Sequence, residues 1–227
     1  MAIEKTVFNY SSQQANADTV FAFLSENAGE YFDSVTQDNN KTILCTADEA
    51  EVLTLGFNGN VKSVKVAAPN GTYTSDYTSN RIWDYAYKTS KGIMLFSNRI
   101  NGSGTPYVTS VFITKDDSGN TAIAAIFSTD TNDITNRSLV TTTAKTQANR
   151  FTMIMNAKWL SYRYAQTDPW YWATSVTAMV PLPLTNTTTD YAPDLFFPVF
   201  SQYPYTPAVL TIGSTKYVSD GRLLLRE

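Results

Sequence analysis

The chain of 227 residues lacks histidine altogether and contains one cysteine, Cys45. Histidine is the side chain whose unperturbed pKa lies near neutral pH, and it is the commonest general base and metal ligand in proteins. Its absence excludes Ser-His-Asp and Cys-His catalytic sites and restricts any metal site to oxygen ligands. A single cysteine forms no intramolecular disulfide, and the apolar neighbours Ile43 and Leu44 predict a buried thiol.

Charge is scarce as well. Asp, Glu, Lys and Arg make up 16% of the residues, the net charge is −3, and the basic residues form no run. Nucleic-acid binding requires a basic surface, and an amphipathic membrane-surface helix requires clustered basic residues. The first ten residues do not predict a secretory signal, and no apolar stretch reaches the roughly 20 residues that cross a bilayer. We therefore expect neither nucleic acid nor membrane as a partner, and synthesis in the cytoplasm.

The chain is instead rich in aromatic residues, with 14 tyrosines, 12 phenylalanines and 4 tryptophans. Short alternating segments separated by turn residues predict ten or more strands. Residues 108–115 and 121–128 predict one hairpin around a turn at 116–120, and residues 51–57 and 61–67 predict another. The pattern is typical of a mainly β fold, a β-sandwich or jelly-roll-like set of antiparallel sheets with one amphipathic helix near the N-terminus.

The helix is predicted over residues 18–32, with Asn16 or Asp18 as its N-cap. Its apolar positions recur at three- and four-residue spacing, namely Val20, Phe21, Leu24, Ala28 and Tyr31. Such a helix covers one face or end of a sheet. The alternative is a helix that docks a partner through phenylalanines projecting on more than one side, namely Phe21, Phe23 and Phe32.

We expect residues 1–227 to form a single β-rich module. The polar stretch 69–80 is a possible internal boundary between an α+β part at 1–68 and an all-β part at 81–227. The polar composition of residues 129–146 predicts a long loop.

Prolines shape the predictions for the C-terminal third. Residues 173–184 predict a strand that lies at an edge or leaves the sheet at its proline-containing end, because proline cannot donate to a ladder. Residues 191–207 contain four prolines and predict an extended, irregular segment.

The most distinctive local feature is a run of aromatic residues in the C-terminal half. Its members are Trp159, Tyr162, Tyr164, Trp170, Tyr171 and Trp172. Exposed, these rings would form a platform on which sugars stack. Buried, they would anchor a core or a subunit interface, where tryptophan and tyrosine are enriched. The first alternative predicts a carbohydrate-binding module that recognises a cell-wall glycan.

A carboxylate pair for glycoside hydrolysis is the enzyme alternative that survives the absence of histidine. Asp84, between Trp83 and Tyr85, and Asp168, which precedes Pro169, are the candidate acids, because aromatic walls raise a carboxyl pKa. Solvated turn or strand-edge positions explain such acids more simply. The acidic spots in the chain do not match a calcium-binding loop, so we predict no metal, no cofactor and no catalytic residue.

The Asn-, Thr- and Tyr-rich body without histidine and the closing run at 213–226 resemble small β-rich virion proteins of tailed bacteriophages. That closing run has a glycine turn, Lys216-Tyr217, a second glycine turn and a hydrophobic last strand. The resemblance implies a non-enzymatic structural component of a tail, baseplate or neck. It also implies location in the virion after synthesis in the host cytoplasm, with copies of itself and other virion proteins as partners.

Overall fold

A computed structural model describes residues 2–9, 11–38, 42–57, 61–68, 71–78, 83–100, 106–128, 137–143, 151–155, 176–183, 191–200, 208–220 and 223–227. Within these ranges the chain forms one α-helix and seventeen strands, arranged in three antiparallel sheets. The mainly β fold with a single described helix near the N-terminus is therefore confirmed. None of the described helical residues belongs to a helix with the length and apolarity needed to span a membrane.

The first sheet is a five-stranded meander formed by β2 (Ser34–Gln37), β3 (Thr42–Ala47), β4 (Ala50–Gly56), β5 (Val61–Ala68) and β6 (Gly71–Thr78). The predicted hairpin of β4 and β5 is confirmed, with Leu55 opposite Val64. The polar stretch 69–80, the possible internal boundary, contains β6, which pairs with β5 along its whole length. Its threonines and tyrosines are strand formers even without an apolar face.

The central sheet has seven strands, in the order β1 (Glu4–Val7), β7 (Tyr85–Lys88), β8 (Ile93–Ile100), β9 (Pro106–Lys115), β10 (Thr121–Ser128), β11 (Arg137–Thr143) and β12 (Phe151–Met155). The predicted β9–β10 hairpin is confirmed, and Asp116 Oδ1 closes its turn by accepting from the backbone N–H groups of Ser118 and Asn120. The long loop predicted at 129–146 is wrong over β11, because its leucine, valine and threonines are strand formers.

The C-terminal sheet has five strands, in the order β13 (Val176–Pro183), β14 (Tyr191–Phe200), β17 (Leu224–Arg226), β16 (Thr215–Ser219) and β15 (Ala208–Ile212). The proline-containing β13 lies at an edge, as predicted. The segment 191–207 was predicted to be extended and irregular; over β14 it is extended, as predicted, but it forms a paired strand. The pairing of β14 with β13 jumps from Phe196 to Ala192, so that Pro193 falls in an irregularity instead of the regular ladder.

The helix α1 spans Gln13–Asn27 and begins five residues earlier than predicted. Ser12 is its N-cap, because the Ser12 Oγ accepts from the backbone N–H of Ala15 at 3.0 Å. Phe23 and Phe32 are buried and Phe21 is half-buried. The helix therefore covers a sheet, and these three rings do not form an exposed docking face.

Asn16, one of the two predicted N-caps, lies inside the helix and is fully buried. Its Oδ1 accepts from the backbone N–H of Trp83 at 2.8 Å, and its Nδ2 donates to the Trp83 carbonyl at 2.8 Å and the Asn9 carbonyl at 3.0 Å. The side-chain amide thus pairs with Trp83 as a neighbouring strand would. The amide oxygen is therefore engaged by Trp83 and does not cap the helix, and Ser12 takes that role.

The middle of the central sheet is buried on both faces, as the described side chains of β8, β9 and β10 show. Alternate residues of β8 point to opposite sides, so that Ile93 and Leu95 join one hydrophobic cluster while Met94 and Phe96 join another. The first cluster, the helix-side core, packs the central sheet against α1 and the first sheet. The second, the C-terminal core, packs it against the C-terminal sheet, including Leu195, Val218 and Leu225. The described fold is therefore a sandwich extended to three layers.

Polar contacts also join the central and C-terminal sheets. Thr89 Oγ1 donates to the Arg226 carbonyl at 2.8 Å. Ser110 Oγ donates to the buried carboxylate of Asp220, whose other oxygen accepts from the Leu223 N–H at 2.9 Å. Because buried polar groups need hydrogen-bond partners, these contacts help to fix the position of the C-terminal sheet on the central sheet.

Candidate functional site

The aromatic run predicted as an interface or sugar platform lies outside the described residues. This applies to Trp159, Tyr162, Tyr164, Trp170, Tyr171 and Trp172, and to the candidate acid Asp168. Asp84, the other candidate acid, is described and half-buried. Its backbone N–H donates to the Phe96 carbonyl at 2.9 Å and its carbonyl accepts from the Phe8 N–H at 3.0 Å. Its backbone therefore extends the central sheet between β1 and β8.

A hollow of about 160 Å³ opens where the end of α1 meets the β3–β4 and β9–β10 turns. Its lining includes the charged side chains of Glu30, Asp33, Asp48 and Lys115. Tyr31 contributes a ring that lies 5.5 Å from the Lys115 Nζ, measured to the ring centroid. The hollow is polar and small, so it suits solvent or a small polar molecule better than an extended substrate.

The chemistry available in this hollow is limited. Burial raises the pKa of the Tyr31 phenol, and the neighbouring Glu30 carboxylate raises it further. The phenol therefore stays protonated at neutral pH and is a hydrogen-bond donor, not a base. No group of three or more acids or cysteines among the described residues is placed to hold a metal ion.

Uncovered sheet edges are the second kind of surface. Three large hydrophobic side chains in the described ranges are exposed: Val7 at 65%, Val209 at 46% and Tyr191 at 39%. Val7 lies on β1 and Val209 on β15, the terminal strands of the central and C-terminal sheets. Within the ranges that the structure describes, no strand pairs with the outer side of either one. These edges present both apolar side chains and backbone hydrogen-bonding groups.

The hydrogen bond from the Phe8 N–H to the Asp84 carbonyl shows which backbone groups of β1 face β7 and which face outward. Hydrogen-bonded pairs alternate along antiparallel strands, so the backbone groups of Lys5 and Val7 point away from β7. The Lys5 Nζ lies 4.3 Å from the ring centroid of Tyr85, a cation–π distance. The Tyr85 ring in turn stacks on Phe96 at 5.2 Å. The lysine thus covers the aromatic side of this edge and adds a charge to it.

A second hydrogen bond shows which backbone groups of β15 face outward. The Glu227 N–H donates to the Lys216 carbonyl at 2.9 Å, so Lys216 faces β17 and the next residue, Tyr217, faces β15. Tyr217 pairs with Leu210, and the backbone groups of Val209 and Thr211 therefore point outward. The strand Ala208–Ile212 contains no charged residue and no proline.

The edge position of β15 was not predicted from the sequence. The uncharged run Ala208–Ile212 ahead of a glycine was the available signal. The order of the strands in this sheet could not be predicted from the sequence, because β17 lies between β14 and β16.

No family model, curated protein or solved structure matches the chain.

Proposed function

We propose that the protein is a non-enzymatic structural component of a bacteriophage particle, of the tail, baseplate or neck kind. It works through symmetric contacts with copies of itself and with other virion proteins. The observation that carries the proposal is the edge strand β15, which no other described strand covers and which has an exposed valine and outward backbone groups. Sheet edges are surfaces through which chains add to one another.

Two further features support the proposal. The three-layer body is tied together by cores on both faces of the central sheet, which suits a part that must hold its shape in an assembly. The closing run at 213–226, which resembles the endings of phage virion proteins, contains β16 and β17 and lies directly beside the β15 edge.

The test combines two measurements. Mass spectrometry of purified particles of the phage that encodes the chain is expected to find it in stoichiometric amounts. Light scattering of the purified protein is expected to show a mass that increases with concentration. A monomer at every concentration, together with absence from purified particles, would contradict the proposal.

The glycan-binding and glycosidase alternatives give different results in a parallel assay. Binding to host cell-wall glycan that is lost in the Trp170→Ala, Trp172→Ala double variant would favour the carbohydrate-binding module. Wall degradation that is lost in Asp84→Asn or Asp168→Asn would favour the glycosidase.

A further inference from the structure

We infer that β15 is the edge through which two copies of this chain join, antiparallel and about a two-fold axis. The two five-stranded C-terminal sheets then form one continuous sheet of ten strands. The inference rests on the proposed function, because it names one of the surfaces through which the copies would contact each other. It is argued from the backbone, the side chains and the charges of this edge.

The backbone allows one full-length register. Val209 and Thr211 direct their N–H and C=O groups outward, so each can exchange two hydrogen bonds with an outward residue of a second copy. When Val209 of one copy lies opposite Thr211 of the other, every residue of Ala208–Ile212 in one copy lies opposite a residue of the same strand in the other. Leu210 then lies on the two-fold axis, opposite its own counterpart in a pair without hydrogen bonds.

In this register the second copy contacts side chains on both faces of β15. Leu210 and Ile212 are only partly buried and pack against Tyr217 and Leu224 on the outer face of the C-terminal sheet. A second copy places its own Leu210 beside them. On the opposite face, the exposed Val209 gains a neighbour across the new strand pair. Such cross-strand pairs each contribute about 0.2–1 kcal/mol relative to alanine pairs.

Charge favours a second copy as the occupant of β15. A two-fold axis brings each residue near its own counterpart, so a strand that joins itself must avoid like charges close to the axis. The uncharged β15 meets this condition. The edge strand β1 carries Glu4 and Lys5, charges of the kind that natural proteins place on edges to prevent pairing.

The contact is small. A five-residue strand pair buries less than the roughly 1,000 Å² that a stable interface requires. We therefore expect weak association in dilute solution, strengthened in a particle by other contacts between the same copies.

Cysteine crosslinking tests both the edge and the register. In Leu210→Cys, the two thiols are expected to lie roughly 4.5–5.5 Å apart between Cβ atoms and to form a disulfide-linked dimer on mild oxidation. The native thiol does not compete, because Cys45 is fully buried and burial raises its pKa to about 12. Ile212→Cys is the matched control: it lies on the same face, but its counterpart is four residues away, roughly 13 Å along the strand.

A charge variant provides a second measurement that needs no oxidation. Val209→Lys is expected to weaken self-association at least tenfold in sedimentation velocity, while its unfolding midpoint stays unchanged because Val209 is exposed. Val7→Lys, on the β1 edge, is expected to leave self-association unchanged.

The outcomes separate the inference from the proposed function. Self-association without Leu210→Cys crosslinking and without an effect of Val209→Lys overturns the β15 contact and leaves the proposed function standing. Faster crosslinking of Ile212→Cys than of Leu210→Cys overturns the register, and hence the inference as stated. A protein found in particles but monomeric at every concentration overturns the contact alone.

Discussion

At the scale of single residues, two positions connect elements that are distant in sequence. Asn16 connects α1 to Trp83, just before β7, through two hydrogen bonds of its side-chain amide, and a third reaches the Asn9 carbonyl. Gly92 lies where β8 begins and where Leu225 of β17 approaches the central sheet. At both positions the residue contacts a partner that is distant in sequence. The effect of a substitution is therefore determined by what happens to that partner.

Replacing Asn16 is expected to destabilise the fold strongly. Asn16→Ala removes the partner of the buried N–H and C=O of Trp83, and each unsatisfied group costs about 1–3 kcal/mol, so the expected loss is about 3 kcal/mol. Urea unfolding followed by tryptophan fluorescence measures it. The exposed Gln14→Ala in the same helix serves as control, with a change within about 0.5 kcal/mol. A loss below about 1 kcal/mol for Asn16→Ala would contradict the role given to the amide.

Adding one methyl group at Gly92 is also expected to destabilise the fold. A Cβ there would lie 2.5 Å from the Ile113 carbonyl oxygen and 3.0 Å from a Leu225 methyl group. Relieving this overlap means shifting backbone, and overpacking of this kind costs about 1–3 kcal/mol. Thermal unfolding of Gly92→Ala should show a lower Tm. Gly29→Ala, where a Cβ would meet nothing within 4 Å, should unfold near the wild-type temperature.

At the scale of elements, start and stop signals decide how far each helix or strand extends. The helix was predicted five residues too late, because its first turn contains few apolar residues and the periodicity becomes visible only from Val20. The start of the helix is indicated by the N-cap serine, Ser12, and the polar first turn that follows it. The apolar periodicity drew the predicted start to a later residue.

The N-cap predicts a measurable local effect. Ser12→Ala removes the hydrogen bond to the Ala15 N–H and is expected to lower the free energy of unfolding by about 1 kcal/mol. Ser11→Ala is the matched control, since Ser11 is exposed and its backbone N–H, which donates to Asn9 Oδ1, remains in the variant. Equal effects of the two substitutions in urea unfolding would argue against Ser12 as the cap.

Local sequence was sufficient for the hairpins and insufficient for the order of the strands. The β9–β10 pair was predictable because alternating residues flank a turn rich in Asp, Ser and Gly. The strands β6 and β11 were missed because their polar composition mimics a loop, and β14 was missed because of its prolines. The edge position of β15, on which the candidate site depends, is set by the insertion of β17 far along the chain.

At the scale of the whole molecule, the three layers enclose groups that ionise readily in an unfolded chain. Burial raises the pKa of the Cys45 thiol to about 12, and burial also raises the pKa of Tyr31 and Tyr85 above the ordinary tyrosine value. Nearby carboxylates and the Tyr87 phenol add to the tyrosine shifts. The folded protein therefore retains protons that the unfolded chain releases in alkali.

The stability of the protein is accordingly expected to fall as the pH rises. The contribution of Cys45 is fully present below the pKa of an unfolded thiol, near 8.5, and is lost progressively above it. Between pH 7.5 and 9.5 the loss should be about 1.4 kcal/mol. Urea unfolding under reducing conditions measures it. In Cys45→Ala the same pH change should cost less by about that amount, whatever the variant's stability at pH 7.5. A parallel pH dependence in the two proteins would contradict the assignment.

A middle layer that is buried on both faces has a consequence for synthesis on the ribosome. When the chain has been made as far as Ser128, Met94 and Phe112 have no covering sheet, because the strands that cover them follow later in translation. The nascent chain is thus expected to expose this apolar face of the central sheet until β17 has left the exit tunnel. Chaperones that bind emerging polypeptides are expected to hold this intermediate, and chains truncated before β17 are expected to enter inclusion bodies.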